Sequence, residues 1–311
     1  MRTRRWIFAL AGLALGLALP SLCSAAGMMA KPASETPRHP LFLWKVTGGR
    51  GTVFLLGSIH AATADFYPLP RPIEDDFRKS SVLVEEIDFS KVDPAQFRQL
   101  ITEKGTYAAG DGLENHISPE TRAAFQKFLK QTGQNPSAFS QMRPWLASIM
   151  IILSELNPEG INSKYGVDIH FMHEASEAHK ATSELESPAF QIKLFSDLPD
   201  DLQSTLLLSS LLEAQKTRQY FDILLRAWRT GDARKIEDLL TRDAQKYPQL
   251  KTLYDKLIFA RNRKMAERIA VYLDTPKTYF VVVGVGHLIG SRGLVALLRD
   301  KQYRVERVSA E

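Results

Sequence analysis

The sequence is poor in cysteine. Its single one, Cys23, falls in the first 26 residues of a 311-residue chain. Those residues read as an export leader. Arg2, Arg4 and Arg5 form a basic start, Ile7 to Leu19 an apolar run too short to span a bilayer, and Ser24-Ala25-Ala26 a cleavable small-residue end. Removal of the leader leaves no cysteine. That excludes disulfides, a thiolate nucleophile and cysteine-ligated zinc. It also lowers the formal charge of +5 to +2, because the three arginines leave with it. No Lys/Arg stripe with interleaved aromatics remains, so nucleic acid is not an expected partner. No second apolar run predicts a membrane span. The chain is expected to be secreted, and periplasmic in a Gram-negative cell, with its oligomeric state left open.

Other familiar signatures are absent too. There is no Gly-x-Ser-x-Gly elbow and no Gly-x-x-x-x-Gly-Lys-Ser/Thr loop. Gly284-x-Gly286 follows a strand-like run, but Ile289 stands where a dinucleotide fingerprint needs its third glycine. His173-Glu174 begins a zincin-like motif, yet Glu177 occupies the position of the second histidine. His170 and His173 therefore read as surface or packing residues. No Cys-x-x-Cys-His attaches haem covalently, no short-period repeat predicts a solenoid, and no Pro/Gly/Ser-rich linker divides the mature chain.

What is present is a pair of similar stretches. Thr52-Val53-Phe54-Leu55-Leu56-Gly57-Ser58-Ile59-His60 and Thr278 to Val283 followed by Gly284-Val285-Gly286-His287 are each a β-branched apolar run ending in Gly-x-x-His. A buried strand that delivers a titratable residue just past a glycine is how an α/β sheet builds a site at its strand ends. A neutral imidazole there can ligate a metal or act as a base.

Around these strands the pattern predicts an α/β (α+β) architecture. A central mixed sheet is formed by the N- and C-terminal halves, with a large helical insert over about 94–274. Residues 27–40 read as a flexible mature N-terminus, and 41–308 as one domain. Leu41 to Val46 and Thr52 to Leu56 should pair as a hairpin across Thr47-Gly48-Gly49-Arg50-Gly51. Helices are expected from Ile73 to Lys79, from Pro119 with Ser118 as N-cap, from Trp145 to Leu156, from Val167 to His179 with a cap near Asp168, from Gln249 to Leu273 and from Gly290 to Arg299. Asn157-Pro158-Glu159-Gly160 should end the helix before it.

Carboxylates mark two further strands. Ser81 to Asp88 carries Glu85, Glu86 and Asp88, which are costly in a buried strand unless paired or metal-bound. Glu86 and Asp88 share one face and Glu85 the other. Lys180 to Leu185 should be a strand that ends at Glu186, with Glu184 on the same face. Arg261 and Asn262 sit inside the last insert helix. There an arginine is usually solvated or paired, but it can also polarise a carbonyl.

As an ordered set these residues resemble the TraB/PrgY/GumN family, part of the wider group that includes the Tiki metalloproteases. The likeness covers roughly 41–308. It is carried by Leu56-Gly57-Ser58-Ile59-His60, Phe66-Tyr67-Pro68-Leu69-Pro70, Leu83 to Asp88, Arg143-Pro144-Trp145, Tyr165-Gly166-Val167-Asp168, Leu185-Glu186-Ser187 with Gln191, Arg261-Asn262, and Gly284 to Gly290. The resemblance implies a functional histidine from each Gly-x-x-His, with a glutamate closing the next strand: His60, His287 and Glu86. Glu85 departs from the apolar residue usual in the family, which leaves open which of Glu85 and Glu86 faces the site. Tiki-like members further imply divalent-metal-dependent peptidase activity.

The leading expectation is a secreted metal-dependent hydrolase of peptides. His60, His287 and Glu86 would bind Mn²⁺, Co²⁺ or Zn²⁺. Glu186 or Asp88 would carry protons, and Arg261 would stabilise the oxyanion. The alternatives are a metal-independent ester or amide hydrolase with a histidine base, and a non-catalytic haem- or peptide-binding protein. The expected partner is a peptide or small-molecule substrate.

Overall fold

The computed structural model describes residues 39–310 except 157–159 and 247–249, and only the backbone over 241–246. The expected leader, the N-terminal stretch up to residue 38 and most of the Asn157-Pro158-Glu159-Gly160 turn lie outside the described residues.

The β-branched runs form the strands anticipated for them. β1 (Pro40–Thr47) and β2 (Thr52–Ser58) make an antiparallel hairpin, with Leu43 opposite Leu56. Its turn includes Gly48 at φ +116°, a conformation that glycine reaches without a Cβ penalty. α1 (Arg71–Lys79) leads into β3 (Val82–Glu85).

The helical insert follows. It comprises α2 (Pro94–Gly105), α3 (Pro119–Thr132), α4 (Pro144–Leu156), α5 (Val167–Glu177), strand β4 (Ala181–Glu184), α6 (Pro188–Ser196), α7 (Asp200–Glu213), α8 (Thr217–Arg229), α9 (Ala233–Lys246), α10 (Lys251–Tyr254) and α11 (Ala260–Leu273). β5 (Thr278–Gly284), α12 (Leu294–Asp300) and β6 (Arg304–Ser309) close the chain.

These strands make one six-stranded mixed sheet in the order β4-β3-β5-β2-β1-β6. β4, β3, β5 and β2 run parallel, and β1 and β6 antiparallel to their neighbours. β5, made last of the four, fills the place between β2 and β3. The two Gly-x-x-His strands therefore lie side by side, with Gly57 paired to Val283 and Ser58 to Gly284. All four parallel strands end at the same edge.

Packing explains why these strands read as unbroken apolar runs. Leu55, Leu56, Leu83, Val84, Phe280 and Val281 are buried on a sheet with both faces covered. Loss of one such side chain, as in Phe280→Ala, costs about 3–5 kcal/mol. Phe77 and Phe171 pack on Phe280 at centroid distances of 5.4 and 4.8 Å. A smaller second core, including Phe125, Phe139, Ile151 and Leu207, binds α3, α4 and α7 to one another away from the sheet.

Several boundaries differ from expectation. The carboxylate strand stops at Glu85 rather than Asp88. α5 begins at Val167 as expected, with Gly166 rather than Asp168 in the cap position, but it ends at Glu177 instead of His179, which turns at φ +49°. The helix expected over 249–273 is interrupted by a wider π turn at Asp255–Phe259. α12 starts at Leu294, since Gly290 turns at φ +78°. Ser118 does cap α3, its Oγ accepting from the Thr121 amide at 3.1 Å.

Candidate active site

The site grows from the shared strand edge. Past the end of β3, the ladder to the β4 side continues through the Leu185 and Glu186 amides, which donate to the Glu85 and Glu86 carbonyls at 2.8 Å each. Glu86 and Glu186 are thereby brought level. The Gly284 amide donates to Glu86 Oε1 at 2.7 Å, so the end of β5 holds the same carboxylate from the other side.

α11 crosses these ends and delivers Arg261, which is 1% exposed. Its Nε donates to both Glu186 oxygens at 2.9 and 3.0 Å, and Nη2 donates to Glu186 Oε2 at 2.7 Å and to Glu86 Oε2. Nη1 donates to the Leu257 carbonyl within the π turn, which aims the guanidinium. Gln191 Nε2 completes the cluster, donating to Glu86 at 3.1 Å and Glu186 at 3.0 Å. Burial alone would favour a neutral Glu86. Arg261, His60 and the Gly284 amide outweigh it and hold the carboxyl well below the usual range.

Each histidine is oriented through Nδ1. His60 Nδ1–H donates to Asp168 Oδ2 at 2.9 Å. His287 Nδ1 lies 2.6 Å from Asn262 Oδ1, while Asn262 Nδ2 donates to the Arg292 carbonyl at 2.9 Å. That second bond fixes the amide, so Oδ1 accepts and His287 carries its proton on Nδ1. Both Nε2 lone pairs are left for the site. His287 Nε2 stands 3.7 Å from Glu86 Oε1. Burial and the nearby Arg261 lower its pKa to about 3, so His287 is neutral at ordinary pH. Burial also opposes charge on His60, but Asp168 and Glu86 prevail and raise its pKa.

Gly284 marks where these groups meet. A Cβ built there would lie 3.0 Å from His60 Nε2, 3.4 Å from Glu86 Oε1 and 3.7 Å from His287 Cδ2. A second close approach, at Gly166, puts the α5 start against the His60 carbonyl, 2.6 Å from such a Cβ. Only glycine allows the helix bearing Asp168 this near.

Beside His60 lies a cavity of about 30 Å³, lined on its polar side by Glu85, Glu86 and Asp168. Glu85 and Glu86 thus both reach the cleft, although only Glu86 is held between Arg261 and the histidines. Burial, then Asp168 and Asp88, push Glu85 well above the usual carboxylate range.

Three sequence-predicted residues take other positions. Arg261 and Glu186 are engaged with one another and do not line the cavity. Asp88 is tied to Ser90 and paired with Lys91 at 2.8 Å, also away from it. His170, read from the sequence as a surface or packing residue, is half-buried and pairs with Glu74 at 3.0 Å.

Asp168, Asn262 and Gln191 are the functional supports to which sequence reasoning gave no chemical role. For Asn262 and Gln191 the signal was polarity at buried helix positions, whereas Asp168 read only as a helix cap.

The donor set can be tested against a divalent ion. Two imidazoles with Nδ1 fixed by acceptors, presenting Nε2 toward one carboxylate, are the arrangement that oriented metal ligands show, and it suits a borderline cation. Among the described residues, no three His, Cys, Asp or Glu side chains stand close enough to enclose one. The fit is thus one of donor chemistry and orientation.

The sequence model of the TraB/PrgY/gumN family matches residues 42–307. The chain belongs to this family. Among curated relatives of this TraB/PrgY/gumN member is the uncharacterized protein YbaP of Escherichia coli K12. It is 28% identical over 255 residues, 79% of this chain and 87% of YbaP. Metalloprotease TIKI1 of Danio rerio is 22% identical over 333 residues, 89% of this chain and 65% of TIKI1, just under two thirds of that protein. A metalloprotease TIKI homolog of Amphimedon queenslandica is 36% identical over 59 residues, 18% of this chain and 12% of its own length. No solved structure matches the chain. Among the described residues, no helix is long and apolar enough to cross a membrane.

Proposed function

We propose that the chain is an exported hydrolase of the peptidase type and that His60, His287 and Glu86 form its reaction centre. The observation that carries this reading is the convergence of His60 Nε2, Glu86 Oε1 and the His287 ring around Gly284. The likeness to TIKI1, a protein named a metalloprotease, supports the peptide substrate. The basic-apolar-small leader supports export.

His60 and His287 would offer the nitrogen donors to a divalent ion and Glu86 the neighbouring carboxylate, with Mn²⁺, Co²⁺ and Zn²⁺ all compatible with nitrogen and oxygen donors. Such an ion would supply a Lewis acid and an acidified water. The protein's part is orientation. Asp168 and Asn262 fix the imidazole tautomers. Arg261 and Gln191 keep Glu86 ionised and stationary. Arg261 acts here through the carboxylates, not on the substrate carbonyl. In the reaction, water adds to the scissile carbonyl, the C–N bond breaks, and the amine leaves with a proton.

A second reading, metal-free hydrolysis, draws on one specific contact. The His60–Asp168 pair, with its raised imidazole pKa, has the form of a general base and its orienting carboxylate. Haem has no comparable support, because the cavity of about 30 Å³ is small against the several hundred Å³ of an ordinary ligand site.

Metal content and peptide cleavage of the purified protein decide between them. The first reading expects a bound divalent ion, lost in His60→Ala and His287→Ala, and cleavage that stops on chelation and returns with metal. Cleavage that survives chelation selects the second. No cleavage of any peptide under either condition removes both.

A further inference from the structure

The cavity beside His60 has a second wall that the chemistry above does not use. Ile87 and Phe89, just past β3, face Ile169 and Met172 on α5, and Val282 of β5 completes it. Ile169 and Met172 are one helical turn apart and share a face. Ile87, Ile169 and Val282 are buried, while Phe89 and Met172 are half-buried at the mouth. The neighbouring residue on the same helix, Asp168, holds His60. One short segment of α5 therefore both orients a reaction-centre histidine and walls an apolar recess next to it.

We propose that this recess is a specificity pocket, which receives a small apolar side chain of the peptide residue beside the scissile bond, with Met172 and Phe89 setting its depth. The inference rests on the hydrolase reading. Its size follows from the free volume. About 30 Å³ is the share of one water in the liquid, which matches an alanine side chain directly and a valine side chain once the flexible Met172 gives. An aromatic ring does not fit. Acidic side chains are disfavoured for a different reason, because three of the five polar residues lining the same cavity, Glu85, Glu86 and Asp168, are carboxylic acids beside His60 and Gln191.

Two measurements on the full chain test this. In the first, matched fluorogenic peptides carry Ala, Val, Phe, Lys or Glu beside the scissile bond. Ala and Val should exceed Phe and Glu in kcat/KM by roughly 10-fold or more, the discrimination an apolar pocket supplies. Met172→Ala should raise the Phe peptide at least several-fold while Val changes little. A wild-type preference for Phe or Lys, or an unchanged profile in both Met172→Ala and Phe89→Ala, would overturn the proposal.

The second measurement does not depend on turnover. In protein labelled at methionine methyls, N-acetylvalinamide should shift the Met172 signal and N-acetylphenylalaninamide should not. A Met172 signal that ignores both probes, or responds equally to both, contradicts the pocket even when no peptide is cleaved. Absence of all cleavage with a selective Met172 shift would instead retire the hydrolase reading and keep the recess.

Discussion

Arg261→Met isolates the buried charge cluster beneath the histidines. Methionine keeps much of the apolar stem and removes the guanidinium. Glu86 and Glu186 are then left buried with Gln191 Nε2 as the shared side-chain donor between them. Removing one partner of a buried ion pair costs about 3–5 kcal/mol, because the remaining charge is uncompensated. With a urea slope of about 3 kcal/mol/M, the unfolding midpoint should fall by roughly 1–1.7 M.

The pH dependence has a definite sign. In the native protein the Glu86 pKa is depressed, so its stabilisation is present above the unfolded value of about 4.3 and fades as pH falls through the lower folded value. In the variant the burial of Glu86 is no longer offset by Arg261, so that protein loses less stability than the native one as pH falls toward 4–5. The gap between the two should therefore narrow in acid. Urea melts followed by circular dichroism at neutral pH and near pH 4.5 give the comparison. Adding Glu186→Gln to the variant should recover about 1 kcal/mol or more, since one buried charge disappears. A loss below about 1 kcal/mol at neutral pH, or a gap that widens in acid, would refute the clamp.

Other outcomes follow from single contacts. Gly284→Ala places a Cβ 3.0 Å from His60 Nε2, so activity should fall by about 100-fold with little change in the thermal midpoint; normal activity would mean the histidine does not work from this position. Asn262→Ala frees the His287 ring and should reduce activity or metal affinity by about 10–100-fold, while circular dichroism stays native. His116, bonded to Asp111 and Asp200, should titrate above 6.5 by NMR and fall back in Asp111→Asn. Its stabilising effect is present below about 6.5 and is lost as pH rises through the folded value.

The strand edge was legible in the sequence because its physics is local. β-branched apolar runs of strand length, each ending in Gly-x-x-His, have few alternatives, and the parallel pairing of β2 with β5 follows the expected echo. The carboxylates were harder. Period-two alternation assigned Glu85 and Glu86 to opposite faces of one long strand. The strand ends at Glu85, however, and the chain bends, so both reach the cleft. Arg261 was ambiguous for a related reason. An arginine in a polar helix reads as solvated, and the π turn that aims it adds one residue to a turn without leaving a compositional mark. Asp168 reads as a helix cap by type and position. It is used instead as the acceptor for a histidine just past β2, 108 residues earlier, a contact that only the tertiary structure creates.

The central claim is that one site is built from the two Gly-x-x-His histidines. Its most direct test is a double-mutant cycle on kcat/KM for peptide hydrolysis with His60→Ala, His287→Ala and the pair. Residues that act as a unit are strongly non-additive. Each single variant should therefore lose nearly as much activity as the double. If the two losses multiply in the double variant, the histidines act independently and the single-site account is contradicted.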